Sequence, residues 1–360
     1  MIDFYQSLRT LLRLEKIHAD NNVFKLHYKV TVVLLLGFSI LLTSKQYFGE
    51  PINCHIGKTD ISKDFIDTFC WISGTFTLKK TINSKNLPGL GNPFDAKDSE
   101  IYRHFYYQWV SIAFGIQAIF FYVPKFLWKT WEAGRLRLLI GDLGGPLISD
   151  QWTSARKDTF VKYLVNGDCA HNIYMCRYCI CEFLNFLNVC FQIYFMDWFI
   201  SGHFSSFGLA YASYKDVNPM DIFFPKKAKC TYRNFGPSGS DEEHDFLCIL
   251  PLNVLNEKLF LVLWYWLFIL LAISSLCLLY RSLFLFAPKF RVYLLRAQCR
   301  KLEKKKAMLI VKKFTYGDFF ILYKIGKNVD PTIYNEIVAS IYAHFTMKGS
   351  CKNFPRDDEV

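Results

Sequence analysis

No Asn-x-Ser or Asn-x-Thr triplet occurs anywhere in the 360 residues, so no segment can accept an N-linked glycan. Also missing are the G-x-x-x-x-G-K-[ST] phosphate loop, the H-E-x-x-H zinc motif, the paired ligand spacing of zinc fingers and any RNA-binding signature. No Ser/His/Asp arrangement stands out, and nothing repeats with a period of 20 to 50 residues. These absences argue against an enzyme, against a bound cofactor or metal, and against a solenoid. The net charge of +12 does not indicate nucleic acid either, because the basic residues are not gathered into one patch.

Charge is what the apolar segments lack. Mean hydropathy is only +0.14, and 52% hydrophobic residues coexist with 21% charged ones, so the apolar sequence must be concentrated in blocks. The clearest runs from Leu259 to Tyr280, 22 residues without a charge, closed by Arg281; it is long enough to cross a bilayer as a helix. Val30 to Leu42 is apolar for 13 residues and spans only by including Thr43 to Phe48, with Lys45 reaching toward headgroups or a pore. Asp3, Arg9, Arg13 and Glu15 precede it, which is not the pattern of a cleaved secretory signal. Phe105 to Trp128 opens on Tyr106, Tyr107 and Trp109 and closes on Trp128 and Trp131, like interfacial aromatics at both ends of a span; Pro124 is expected to kink or end it.

Tyr178 to Ile200 carries Glu182, Asn185, Asn188, Gln192 and Asp197, several at helical spacing, so one face is polar. In lipid that face must meet neighbouring helices or water; taken alone, the block also fits a buried amphipathic helix of a soluble protein. Lys and Arg against Asp and Glu number five to three in Met1–Lys29, eight to five in Lys125–Arg177 and fifteen to seven after residue 286. Between the other blocks they number seven to seven in Gly49–His104 and five to seven in Gly202–Glu257. The positive-inside bias therefore places both termini in the cytoplasm.

That orientation sorts the 12 cysteines by redox compartment. Cys54 and Cys70 fall in the first outer loop, Cys230 and Cys248 in the second, where disulfides can form in any of three connectivities. The other eight are expected to be thiols. Cys176, Cys179 and Cys181, with Cys169 and His171 nearby, superficially resemble a metal cluster but lack a second matched pair. Palmitoylation of Cys169 or Cys176 is another reading.

Tyr106, Tyr107, Gln108, Trp109 and Val110, YYQWV at the outer start of the second span, form the signature pentapeptide of innexins, and the chain resembles that family over nearly its whole length. The likeness extends through NNVFKLHYK (21–29), TSKQYFGEPINC (43–54), FLWKTWEAGR (126–135), QIYFMDWF (192–199), CTYRNFGPSGS (230–240), CILPLNVLNEK (248–258), YLLRAQ (293–298) and GDFFILYKIGKNVDPTIYNEIV (317–338). Two cysteines per outer loop suit innexins and pannexins; connexins carry three.

The resemblance implies an all-α membrane protein with four transmembrane helices, cytoplasmic N- and C-termini, disulfide-linked extracellular loops with some strand, and a helical cytoplasmic domain. The corresponding divisions are an N-terminal pore helix (1–28), spans at 29–48, 105–128, 178–201 and 258–286, outer loops 49–104 and 202–257, an inner loop 129–177 and a C-terminal domain 287–360. It implies nested bridges, Cys54 with Cys248 and Cys70 with Cys230. It also implies a gap-junction and hemichannel subunit at the plasma membrane, passing ions and small metabolites. As a homo-oligomer of about eight copies, or as a ring mixed with other innexins, it would dock a hemichannel on the adjacent cell. Phe4 to Ala19 can form an amphipathic helix, which in innexin-like proteins narrows the cytoplasmic pore mouth; the alternative is a helix on the inner leaflet. Asp3, Phe4, Lys45, Phe48 and Glu50 are the pore-lining candidates.

Other partners the residues suggest are anionic lipid for Lys301–Lys306 and a PDZ-type groove for Asp358, Glu359 and Val360. Competing readings are a hemichannel that never docks, a four-pass adhesion or scaffold protein, which should show cysteine-rich outer-loop motifs that are absent, and a membrane acyltransferase built on Asp168, Cys169, Ala170 and His171, whose chemistry is incomplete.

Overall fold

A computed structural model describes residues 17, 19–57, 61–78, 89–90, 101–144, 152–166, 168–213, 221, 223–299 and 302–350. Four helices are long and apolar enough to cross a membrane: Asn22–Phe48, Val110–Glu132, Ala170–Phe199 and Pro251–Phe286. We call them the first to fourth membrane helices. The longest has 36 residues, about 54 Å at 1.5 Å per residue, so it outreaches a hydrocarbon core of about 30 Å.

Each helix departs from its apolar block for a local reason. The first begins at Asn22 rather than near Val30, because Phe24 and Tyr28 are buried in a cytoplasmic core; its turn Leu26–Thr31 is π-helical. The second does not end at Pro124 but runs through it to Glu132. The ring costs one backbone bond, and packing of Phe121 and Trp128, both buried to within 1%, carries the helix on. The third starts at Asp168 and the fourth at Pro251, both in polar sequence.

The chain divides into two compact units whose limits fall within the long helices. One, the loop unit, takes Val30–Phe120 and Asn188–Leu271. Its outer part is a five-stranded antiparallel sheet. Strands β1 (Asn53–His55), β2 (Thr75–Leu78) and β3 (Ile101–His104) come from the first outer loop; β4 (Lys227–Phe235) and β5 (Asp241–Ile249) come from the second. The order β1-β5-β4-β2-β3 puts the hairpin of the second loop at the centre, with strands of the first added at both sides. Neither loop makes this sheet alone. The hairpin registers Lys227 with Ile249 at one end and Phe235 with Asp241 at the other. Alternation along β5 buries Phe246 and Cys248 and exposes Leu247 and Ile249, as a half-covered sheet requires. A helix at Lys63–Ser73 supplies the cover, burying Ile66 and Cys70, four residues apart on one face. It stops at Gly74, whose φ of +83° suits glycine and lets the chain turn into β2.

The other, the terminal unit, takes Met1–Lys29, Phe121–Leu187 and Ala272–Val360. Its described part is helical. Helices at Ser154–Val165, Pro288–Gln298, Lys304–Lys313, Tyr316–Gly326 and Pro331–Ser350 pack with the cytoplasmic ends of the membrane helices around Trp128, Tyr178, Phe284, Phe320 and Ile337. Helix starts are specified locally: Pro288 occupies a first-turn position, and Thr315 with Asp318 closes a capping box. Gly317 is needed for close approach, since a Cβ there would stand 2.2 Å from the His171 backbone.

Candidate functional site

The outer loops converge on two disulfides. Cys54 and Cys248 face each other across β1 and β5, with Cα atoms 3.9 Å apart; Cys70 reaches from the covering helix to Cys230 on β4, with Cα atoms 5.8 Å apart. Both bridges join the first loop to the second, over 194 and 160 residues of sequence. All four cysteines lie in one small core with Ile52, Ile66, Ala228, Phe246 and Leu250. Sulfurs of Cys54, Cys70 and Cys248 lie within 4.8 Å of one another, a spacing that suggests a metal until their covalent pairing is seen.

The pentapeptide sits beside this core, and its residues divide by environment. Tyr106, Tyr107 and Gln108 form a 3-10 turn, and the helix begins only at Val110. Tyr107 is buried with its ring 4.6 Å from that of Trp71, and Gln108 Nε2 donates to the Trp71 carbonyl at 2.5 Å. Tyr106 packs edge-on against Phe224. Trp109, 59% exposed, faces outward. The first three residues thus hold the span to the outer module instead of forming an interfacial belt. Burial, with the adjacent Tyr107 adding to it, pushes the Tyr106 hydroxyl well above its usual range, and burial raises Tyr107 to about 12; both are neutral. Next to them, His104 is held down to about 4 by burial and hydrogen-bonds Thr77 Oγ1 at 2.9 Å.

The pore-lining candidates separate into two groups. Lys45 and Phe48 close the first membrane helix, where Phe48 is 91% exposed. Glu50 follows at once and accepts from Asn53 Nδ2 at 3.2 Å. These three occupy one short, exposed stretch leading into β1. Asp3 and Phe4 lie outside the described residues, as does most of the amphipathic segment Phe4 to Ala19.

Three of the five polar residues on the third membrane helix are turned into the chain, while Asn188 and Asp197 stay half-exposed. Glu182, Asn185 and Gln192 are buried within the chain. Glu182 receives both Nε and Nη2 of Arg281 at 2.7 Å, so the charge that closes the fourth apolar block is spent on this pair. His171, buried, has its Nδ1 2.6 Å from Asp318 Oδ1, and its ring lies against that of Tyr163. Cys176 is exposed, Cys179 half-buried and Cys181 buried. One element absent from the sequence reading is Lys324, buried in the cytoplasmic helix Tyr316–Gly326.

The innexin family model matches residues 20–345. The chain belongs to the innexin family. It is 43% identical to Innexin inx2 of Drosophila melanogaster over 352 residues, covering 95% of each chain. With Innexin inx2 of Schistocerca americana it shares 43% over 95% of this chain and 97% of the relative. With Innexin shaking-B of Drosophila melanogaster it shares 38% over 95% and 94%. Innexins are subunits of oligomeric gap-junction channels in the plasma membrane, and this innexin brings to that role four helices of membrane length and an outer module closed by two disulfides.

Proposed function

We propose that this innexin forms a ring of about eight identical subunits whose outer modules meet those of a second ring on the adjacent cell. Ions and small metabolites then pass through the joined channel. The observation that supports docking most directly is the interleaved sheet: both outer loops contribute strands to one rigid body, which can present a fixed surface to a partner. Lys45, Phe48 and Glu50 are proposed to line the outer vestibule, because all three are exposed on a single subunit. Asp3 and Phe4 are proposed for the cytoplasmic mouth on family resemblance alone. Other innexins can enter the same ring, since the family likeness runs through the spans and both outer loops.

Paired oocytes expressing the chain should show junctional current, and single oocytes should take up dye when hemichannels open. Current without coupling supports a hemichannel that never docks. Neither signal from surface-delivered protein supports the adhesion reading and sinks the channel.

A further inference from the structure

Residues 19–21, immediately ahead of the first membrane helix, are held from several directions. Lys324 Nζ donates to the Ala19 carbonyl at 2.7 Å. The Tyr178 hydroxyl accepts from Asn21 N at 3.0 Å, and Asn21 Nδ2 donates to Cys277 Sγ at 3.4 Å. Asp20, buried, accepts from Tyr28 at 2.9 Å and from Lys125 at 2.5 Å. The donors and acceptors come from all four membrane helices and one cytoplasmic helix.

Lys324 is the single contact in this set that comes from the C-terminal part of the chain beyond the membrane helices. Its ammonium lies over the Tyr178 ring at 4.4 Å and is also near Phe320. Around it stand Arg281 from the fourth membrane helix, Glu182 from the third, Asp20 from the segment ahead of the first and Lys327 from its own neighbourhood. Burial, with Arg281 opposing further charge, lowers it to about 7, while Glu182 and Asp20 pull the other way. A lysine this deeply placed is costly unless its donor is used, and the use found for it is one backbone carbonyl.

We propose that Lys324 is a positioning residue that fastens the entry of the first membrane helix to the cytoplasmic helix Tyr316–Gly326, so that displacement of that helix moves the start of the first span. The gating consequence rests on the channel function; the fastening does not. The path is short: ammonium to Ala19, Ala19 to Asn21, and Asn21 into the helix whose far end carries Lys45 and Phe48.

The test uses full-length protein in lipid nanodiscs. In Lys324→Met, which keeps the packing over Tyr178 but loses the donor, deuterium exchange over residues 19–25 should rise at least tenfold. That matches loss of a charge-assisted hydrogen bond. Lys324→Arg should restore protection, and Lys313→Met, a surface charge change, should leave it native. In oocytes, Lys324→Met should alter the open-to-closed ratio at fixed voltage by about tenfold. Unchanged exchange in an assembled Lys324→Met oligomer overturns the fastening, and raised exchange with native current overturns the positioning role. Raised exchange alongside a wild-type chain that passes no current keeps the fastening and counts against the channel reading. If Lys324→Met does not assemble, Lys324→Leu, which also lacks a donor, takes its place with the same outcomes.

Discussion

The loop unit and the terminal unit secure their folds by opposite chemistry. Outside, the small core under the sheet contains nine buried apolar residues, and four of them are cysteines. So little apolar volume cannot hold strands from two distant loops in register, and covalent links supply what packing does not. Inside, where thiols stay reduced, Cys181 and Cys299 are buried and unpaired. The work is done by a large aromatic core, by ion pairs removed from water, Glu182 with Arg281 and Asp20 with Lys125, and by the buried hydrogen bond of Asp318 with His171. One chain thus uses sulfur where the compartment oxidises and buried charge where it does not.

The largest effect expected from breaking this contrast is loss of the outer bridges. Cys54→Ser or Cys248→Ser removes about 2–5 kcal/mol from a module with little else to hold it. Junctional current should disappear, and surface assembly with it, while proteolytic protection of the cytoplasmic helices persists. Junctional current at the native level in either variant would refute the dependence of docking on this bridge. The inner counterpart is Glu182→Gln, which strands Arg281 in a buried site and should cost about 3–5 kcal/mol, read as lower thermal stability of the purified oligomer. Replacing both partners, Glu182→Met with Arg281→Met, should recover most of it, because the desolvation cost leaves with the charges. A double variant as unstable as the single one would show that the pair matters through shape instead.

How much of this the sequence discloses depends on the range of the interaction. Apolar runs of membrane length and the charge bias between them are local properties, so the four spans and their orientation can be read directly. Helix ends are not local: Asn22 and Pro251 open helices in polar sequence because distant residues pack on them. Pro124 signals a break that long-range packing overrides. The polar face at Glu182, Asn185 and Gln192 is visible by spacing, yet only its partner distinguishes a pore lining from a buried joint, and Arg281 lies 99 residues away. Lys324 carries no sequence signal, since a lysine in a helix usually faces solvent. The strands of the first outer loop are legible only as a loop containing cysteines, because β1 has three residues and β2 and β3 four each, too short for an alternating pattern to declare itself.

The smallest effect sharpens the comparison by pH. Both units bury histidine: in the terminal unit His171 is partnered by a carboxylate and His27 by the Ser274 hydroxyl, and in the loop unit His104 hydrogen-bonds the Thr77 hydroxyl and meets the Tyr106 ring edge-on. Burial holds His104 near 4, against 6.5 for an exposed ring. A base with a lowered folded value binds its proton more readily when unfolded. The stability it permits is therefore complete above about 6.5 and is lost as pH falls toward 4. By pH 5 the outer module should be weaker by about 2 kcal/mol, seen as faster deuterium exchange in β2 and β3 than at pH 7.5 after correction for intrinsic rates. His104→Gln, which keeps a hydrogen-bonding group but cannot titrate, should flatten that dependence. If the acid-induced loosening survives in His104→Gln, the proton acts elsewhere, and the exposed carboxylates of the β4–β5 hairpin become the place to look.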